Sequence, residues 1–240
     1  MIGSGAIGTA VARLAVAAGI GVVLSNSRGP LSLAGVAAEL GVRAGTVAEA
    51  VAAGDFVLLA VPLRAVTSLP RDPLDGTIVL DTSNYYPGRD GAIAELDSDE
   101  LTTSEYVQRH LPGARIVKAF ANVSALHLVA QARPHGAPDR SGLAIAGDDP
   151  EAVEAVAGLV DRLGFDPVNI GGLAGSWRIE PDTTASASAY FTEPFPMGVS
   201  MAEKLAFLTA TPAAPLPAAE LRSLVAGAVR VPAGGEWPTD

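Results

Sequence analysis

A glycine pattern at the start of the chain restricts what it can fold into. The pattern has the form GxGxxG and consists of Gly3, Ser4, Gly5, Ala6, Ile7 and Gly8. A helix predicted over residues 9–18 follows it, and then a hydrophobic strand predicted over residues 21–26. In such a unit the first glycine makes a tight turn, the second lets a pyrophosphate approach the backbone, and the third lets helix and strand pack closely. The motif therefore predicts a dinucleotide-binding turn.

The strand that should precede this turn is very short. Only Met1 and Ile2 come before Gly3, whereas a strand in a sheet of this kind has about 5–6 residues. We therefore expect the first strand to be truncated in this sequence, with the native start upstream of Met1.

The rest of the chain alternates apolar strands with helices, which is typical of a parallel sheet covered by helices. Strands are predicted over residues 55–62, 77–81, 115–120 and 143–146, and helices over 31–40, 102–110, 151–163 and 218–229. Gly41 should stop the first of these helices, a Thr102–Glu105 capping box should open the second, and Asp149 should cap the third. The predicted fold class is α/β, a Rossmann-type doubly wound parallel sheet over residues 1–180 with a small C-terminal extension over 181–240.

Composition excludes several other classes of protein. The 240-residue chain is 49% hydrophobic with a net charge of −10, which allows a sizeable core and argues against nucleic acid as a partner. It has no Cys, and its three His are far apart, so neither a thiol nucleophile nor a metal site is expected. The apolar stretch over residues 5–25 contains Arg13, which would be costly inside a bilayer. We expect a cytoplasmic protein without a membrane segment.

The tip of the second strand indicates which dinucleotide is preferred. NAD-binding sheets usually place Asp or Glu about 20 residues after the glycine motif, on the adenosine ribose. Here that position reads Asn26, Ser27 and Arg28, and the first acidic residue of the chain is Glu39. A guanidinium can pair with a 2′-phosphate that a carboxylate would repel. The sequence favours NADP over NAD, although Arg28 could instead be a solvated turn residue.

The motifs GSGAIG, SNSRGP, LLAVP, VLDTSNYY and VKAF together resemble the family of NADP oxidoreductases that use the deazaflavin coenzyme F420, and in particular its bacterial dinucleotide-binding branch. The resemblance covers roughly residues 1–180. The chain departs from it at Ala121, where the family pattern has Asn, and over residues 185–217, which have no counterpart.

The resemblance implies roles for individual positions and a homodimer as the family-level assembly. Residues 3–8 would hold the pyrophosphate, and Asn26, Ser27 and Arg28 would hold the adenosine ribose with its 2′-phosphate. The nicotinamide side would be lined by Ala60, Val61 and Pro62. The second substrate would face the later strand ends, at Asn84, Ala121 and Asn122.

Three functions fit these features. The first is hydride transfer between NADP(H) and a small-molecule acceptor, either coenzyme F420 or a flavin, for which the protein supplies mainly alignment and exclusion of water. The second is reduction of an imine or a carbonyl, which needs a proton donor such as Tyr85, Tyr86 or His127. The third is a sensor module that binds NADP(H) without turnover.

Other polar and aromatic residues have open roles. Tyr85 and Tyr86 could stack on a flat ring or form part of a buried wall, and His127 is expected to be a packing residue. Lys118 lies within an apolar strand and should pair with a carboxylate, because a buried ammonium is costly alone. Trp177 and Arg178 are expected to be a structural pair. Arg64 and Arg89 are loop charges that could meet the anionic tail of a second cofactor.

Overall fold

The computed structural model describes residues 1–193, 196 and 199–233. The strands are Val23–Leu24 (β1), Arg43–Ala44 (β2), Phe56–Leu59 (β3), Ile78–Asp81 (β4), Arg115–Lys118 (β5), Gly142–Gly147 (β6) and Asp166–Asn169 (β7). The α-helices are Ala6–Ala17 (α1), Ala34–Leu40 (α2), Val47–Ala52 (α3), Pro87–Asp90 (α4), Ala94–Asp97 (α5), Thr103–His110 (α6), Ala125–Gln131 (α7), Pro150–Arg162 (α8), Met201–Ala210 (α9) and Ala218–Ala226 (α10). Short 3-10 helices include Pro30–Leu33, Leu63–Ser68 and Leu173–Ile179.

A single residue joins the two parts of the sheet. β1 and β2 form one parallel pair, and β3 to β7 form a five-stranded sheet in chain order. Ile2 lies between the two parts and forms parallel bridges to Ser25 on one side and Leu59 on the other. The order is therefore β2, β1, Ile2, β3, β4, β5, β6, β7, with the chain winding outwards in both directions from Ile2. This confirms the predicted doubly wound Rossmann-type sheet.

The prediction that the sheet is entirely parallel is wrong for its last two strands. β6 runs antiparallel to β5, with Val117 opposite Gly147, while β7 is parallel to β6. Between β5 and β6 the only helix is α7, which has seven residues, and β6 begins at the same end of the sheet at which β5 finishes. A parallel strand would need a connection that returns to the opposite end of the sheet. The sequence alone does not show whether the chain returns in this way.

The predicted helix ends are confirmed. Gly41 caps α2 in the left-handed conformation with φ of 66°, Thr102 forms a capping box with Glu105 at α6, and the Asp149 carboxylate accepts N–H bonds at the start of α8. The structure also contains elements outside the predicted ranges, among them β2, β7, α3, α4, α5 and α9. The start of α3 carries another capping box, between Thr46 and Glu49.

Alternate strand residues face two separate cores. One core lies under α1, α7, α8 and α10 and contains Leu58, Leu80 and Val117. The other lies under α3 and α6 and contains Val57, Val79 and Ile116. Successive side chains of a strand point to opposite faces, so both faces of the central strands are covered and their sequences are almost wholly apolar.

Residues of the C-terminal extension pack into the first of these cores. Tyr190, Leu221 and Val225 are buried there, and the Tyr190 hydroxyl donates to the Gly142 carbonyl at 2.9 Å. The extension therefore contributes core to the sheet, and its end, from residue 234, lies outside the described residues. Within the described part of the chain, no helix combines the length and the apolar character needed to cross a membrane.

Candidate functional site

The glycine motif forms a tight turn at the carboxyl end of the central strand. Gly3 has φ of 105°, a conformation that other residues rarely adopt, and its N–H donates to the Ser25 carbonyl at 2.9 Å. A Cβ atom on Gly3 would lie only 2.1 Å from the Ala60 carbonyl oxygen. The turn thus brings the motif against the tips of both neighbouring strands, β1 and β3.

The other two glycines of the motif have different surroundings. A Cβ on Gly8 would lie 2.4 Å from the Gly3 carbonyl oxygen, so this position packs helix against turn. A Cβ on Gly5 would meet no atom within 4 Å. Gly5 is exposed and is the N-cap of α1, with no side-chain cap and no acidic residue in the first turn. An open backbone at the positive end of a helix fits a pyrophosphate.

The tip of β1 continues into a hydrogen-bonded turn that presents Arg28. The Asn26 side-chain oxygen accepts the Arg28 N–H at 2.9 Å, and its Nδ2 donates to Ser32 Oγ at 2.9 Å. Ser27 and Arg28 are both exposed beyond this turn. Sequence reasoning missed Ser32, although a serine close behind an Asn-containing turn is a typical partner for its side chain.

The next strand tips contribute Ala60 and Asn84. Thr82, which follows β4, links the tips of β3 and β4, because its N–H and hydroxyl both donate to the Leu59 carbonyl, at 3.2 Å and 3.1 Å. The Asn84 amide donates to the Ala121 carbonyl at 2.8 Å, and Arg89 holds the Asn84 carbonyl at 2.7 Å. Ala60 and Val61 are half-buried and Pro62 is exposed. The structure thus gathers the tips of β1, β3, β4 and β5 along one edge.

Ala121 and Asn122 are buried beneath this edge. Asn122 has no exposed surface, and its amide donates to the Ala185 carbonyl at 3.2 Å and to the Tyr190 hydroxyl at 3.3 Å. In this structure Asn122 therefore holds the C-terminal extension, while Asn84 is the half-buried amide at the site. This arrangement depends on residues far along the chain, which the sequence does not pair with Asn122.

The two adjacent tyrosines have different surroundings. Tyr85 is 1% exposed, and its hydroxyl donates to Asp97 at 2.7 Å while accepting the Ile93 N–H at 3.1 Å, so it forms part of the buried wall. Tyr86 is half-buried beside Asn84, and burial raises the pKa of its hydroxyl. The Arg89 guanidinium carbon lies 4.9 Å from the centre of the Tyr86 ring. Stacking of a ligand ring on Tyr85 is therefore excluded by its burial.

His127 packs against an aromatic residue of the extension. Its ring centre lies 5.1 Å from that of Phe191, in an edge-to-face arrangement. This confirms its expected role in packing.

Lys118 is fully buried and lies close to a carboxylate, as predicted. Its ammonium is 3.7 Å from Glu180 and donates to Ser104 Oγ at 3.2 Å. Ser104 in turn donates to Asp81 at 2.6 Å, and Glu180 accepts the Thr103 N–H at 2.9 Å. The sequence signal for this network was a charged residue directly after the apolar run of each of two strands, at Asp81 and Lys118. The network lies directly beneath the tips of β4 and β5.

The remaining candidates make contacts within the protein. Arg64 donates to the Arg89 carbonyl at 2.7 Å, which links the 3-10 helix Leu63–Ser68 to α4 next to the site. The Trp177 ring lies 4.4 Å from the Arg178 guanidinium carbon and 5.9 Å from that of Arg230. The last of these contacts ties the end of the described chain to the 3-10 helix that contains Trp177, which agrees with the predicted structural role of this pair.

Comparison with known sequences agrees with this geometry. Residues 1–85 match the family described as "NADP oxidoreductase coenzyme F420-dependent". The chain is 32% identical over 182 residues to the metalloreductase STEAP3 of Rattus norvegicus, a match that covers 75% of this chain and 35% of the rat protein. The chain spans about a third of the length of the curated relatives it matches.

Two solved structures extend the comparison to most of the chain. The hypothetical protein SMa0349 from Sinorhizobium meliloti is 38% identical, with a TM-score of 0.61 over 73% of this chain and 85% of that one. A candidate F420-dependent NADP reductase from Arthrobacter sp. FB24 is 24% identical, also with a TM-score of 0.61, over 73% of this chain and 84% of that one. The second likeness concerns the fold.

Proposed function

Because this chain belongs to the NADP oxidoreductase family described as coenzyme F420-dependent, we propose that it transfers hydride between NADP(H) and a deazaflavin or flavin-like acceptor. One observation carries the cofactor assignment. The open backbone of Gly5 at the start of α1 lies next to a strand tip that presents an exposed Arg28. No carboxylate occurs in the chain before Glu39.

In this proposal the protein binds NADP(H) and the acceptor and orients them. The free N–H groups of the first turn of α1 hold the pyrophosphate, and Arg28 with Ser27 holds the 2′-phosphate. Ala60, Val61 and Pro62 line the nicotinamide side, and the Asn84 amide, fixed by Ala121, marks the side of the second substrate. NADP(H) and the acceptor supply the hydride chemistry, while the apolar strand tips exclude water.

The cofactor assignment is tested with Arg28→Ala. We expect NADPH affinity to fall about 10–100-fold, the range for loss of a charged hydrogen bond, while NADH affinity changes little. Arg13→Ala is the matched control, because Arg13 is an exposed arginine that pairs with Glu39 on α2 and should affect neither affinity. An equal loss for both dinucleotides in Arg28→Ala would remove the NADP assignment.

The acceptor is tested by following NADPH absorbance with a panel of oxidised acceptors. We expect oxidation with coenzyme F420 or with a flavin and none without an acceptor. Tight NADPH binding without turnover across the whole panel would support the sensor function instead.

A second function, reduction of an imine or a carbonyl, is favoured by the position of Tyr86. Of the three candidate proton donors, Tyr85 is buried in the wall and His127 packs on Phe191. Tyr86 alone of the three lies half-buried beside Asn84, and its hydroxyl is protonated at neutral pH, as phenols ordinarily are. Such a hydroxyl can deliver the proton that these substrates require.

Tyr86→Phe distinguishes this function from transfer to a deazaflavin or flavin. If the substrate is an imine or a carbonyl, kcat should fall at least about 100-fold, with little change in NADPH affinity. An unchanged kcat on such a substrate would rule out Tyr86 as the donor.

A further inference from the structure

A small cavity lies between α7 and the segment that precedes α10. It has a volume of about 90 Å³. Part of its wall is the face of α7 that carries His127 and Gln131, and residues 212, 213 and 215, two of them prolines, form another part. About 10–15 Å³ is enough for one water and about 150 Å³ for benzene, so a small organic molecule fits here. We refer to this space as the α7 cavity.

Gln131 lines the α7 cavity with an amide that has a free oxygen. The residue is 5% exposed, and its Nε2 donates to the Ala214 carbonyl at 3.0 Å. Its Oε1 is buried and has no hydrogen-bond partner within the described part of the chain. The amide cannot be turned round, because the Ala214 carbonyl requires a donor. Gln131 therefore offers an acceptor to a ligand.

His127 presents a second free atom on the same face of α7. Residues four positions apart in a helix are neighbours, with about 5–6 Å between their Cβ atoms. The Nδ1 atom of His127 is also buried and has no partner among the described residues, while its ring packs on Phe191. Buried polar atoms without a partner are costly. A single N–H₂ group placed between His127 and Gln131 can donate to both.

The charges in the wall of the α7 cavity cancel each other. Arg133 and Asp139 line it and form an ion pair, with the Arg133 Nε donating to Asp139 at 2.6 Å. The Arg133 Nη1 donates to the carbonyls of Ala130 and Ala132, at 2.7 Å and 3.0 Å. A cation would meet the guanidinium, and an anion would meet the Gln131 oxygen. The wall therefore favours a neutral ligand.

Ser141 completes the set of polar groups. Its hydroxyl oxygen accepts the Leu216 N–H at 3.1 Å, and the residue is 1% exposed and lines the cavity. A hydroxyl that accepts one bond can still donate its own proton. The α7 cavity thus combines two atoms that can accept hydrogen bonds, at Gln131 and His127, with one hydroxyl donor.

We propose that the α7 cavity is a binding site for the primary carboxamide group of a small neutral ligand. The N–H₂ group of the ligand donates to Gln131 Oε1 and His127 Nδ1, and its carbonyl accepts the Ser141 hydroxyl. A carboxylate of the same shape would present only acceptors to Gln131, and a ketone or an ester lacks the N–H donors. The hydrogen-bonding pattern therefore selects the amide.

The test is a titration with acetamide, followed through the NMR signals of the Gln131 side-chain N–H₂ group and of the His127 ring. We expect saturable shifts with a Kd of about 1–10 mM, which a ligand of this size can reach. Acetone is the matched control probe, because it has the shape and the carbonyl of acetamide but no N–H. It should bind at least about tenfold more weakly.

Variants identify the groups that bind the probe. Gln131→Leu removes the acceptor and should raise the Kd for acetamide at least about tenfold. His127→Phe keeps a ring against Phe191 and should do the same. Gln108→Leu is the matched control, because the Gln108 amide makes bonds of the same kind to backbone carbonyls at the end of α6. Its Kd should be unchanged.

Two results with the unaltered protein would overturn the proposal, whether or not the variants fold. Equal Kd values for acetamide and acetone would show that apolar contact alone accounts for binding. Shifts that grow linearly with acetamide and do not saturate would show that the α7 cavity holds only water.

Discussion

Asp81 and Lys118 occupy paired positions at the ends of β4 and β5 and hold the same residue from two sides. The Asp81 carboxylate accepts the Ser83 N–H at 2.9 Å, and the Lys118 ammonium donates to the Ser83 carbonyl at 2.9 Å. All three residues are buried. Two charges therefore fix the peptide groups that carry Asn84 into the candidate site.

Removal of one of these charges should be costly. Lys118→Met leaves the Glu180 carboxylate buried without its cation, and we expect a loss of about 3–5 kcal/mol in the free energy of unfolding, measured by urea denaturation. Arg13→Met is the control, since its ion pair with Glu39 is exposed on both sides and should be worth at most about 1 kcal/mol. Equal losses in the two variants would contradict a supporting role for Lys118.

The glycines of the motif should separate binding from stability. Gly5 has φ of −74° and open space around it, so Gly5→Ala should change the free energy of unfolding by less than about 0.5 kcal/mol. If the proposed cofactor site is right, NADPH affinity should nevertheless fall at least about tenfold, as measured by calorimetry.

Gly8→Ala, in contrast to Gly5→Ala, should lower the free energy of unfolding. Alanine normally favours a helix by about 1 kcal/mol over glycine, but here its Cβ would lie 2.4 Å from the Gly3 carbonyl oxygen. We expect a net loss of about 2 kcal/mol in the free energy of unfolding. A stabilised Gly8→Ala variant would show that the turn can move away from the helix.

Tyr85 should act on stability alone. Tyr85→Phe removes a buried hydroxyl that bonds with the Gly91 carbonyl, Asp97 and the Ile93 N–H, partners that are themselves exposed or half-buried. We expect a loss of about 0.5–1.5 kcal/mol in the free energy of unfolding, with NADPH affinity unchanged. A large loss of affinity without loss of stability would instead place Tyr85 at the ligand.

Local features were predictable because their physical cause lies within a few residues. The turn at Gly3, the cap at Gly41 and the capping box at Thr102 each depend on backbone conformation and on side chains at most three positions away. Apolar runs likewise located the central strands. The positions that line the candidate edge follow from the rule that parallel strands present their carboxyl ends together.

Features that depend on distant partners were not predictable in this way. The sequence indicated that Lys118 needs a carboxylate but did not identify Glu180. The family resemblance implied a place for Asn122 at the site, whereas the structure ties its amide to Ala185 and Tyr190. It also gave no sign that β6 runs antiparallel to β5.

The sequence by itself determined a glycine turn, a strand tip with a guanidinium and no carboxylate, and an alternation that leads to a doubly wound sheet. These follow from backbone sterics, local charge and hydrophobic periodicity. Only the tertiary structure decided which buried charges meet and which amide faces the site. The reason is that burial and pairing depend on the path of the whole chain. Folding closes long loops and brings together residues that are far apart in the sequence, and neither residue carries a local signal that identifies its partner.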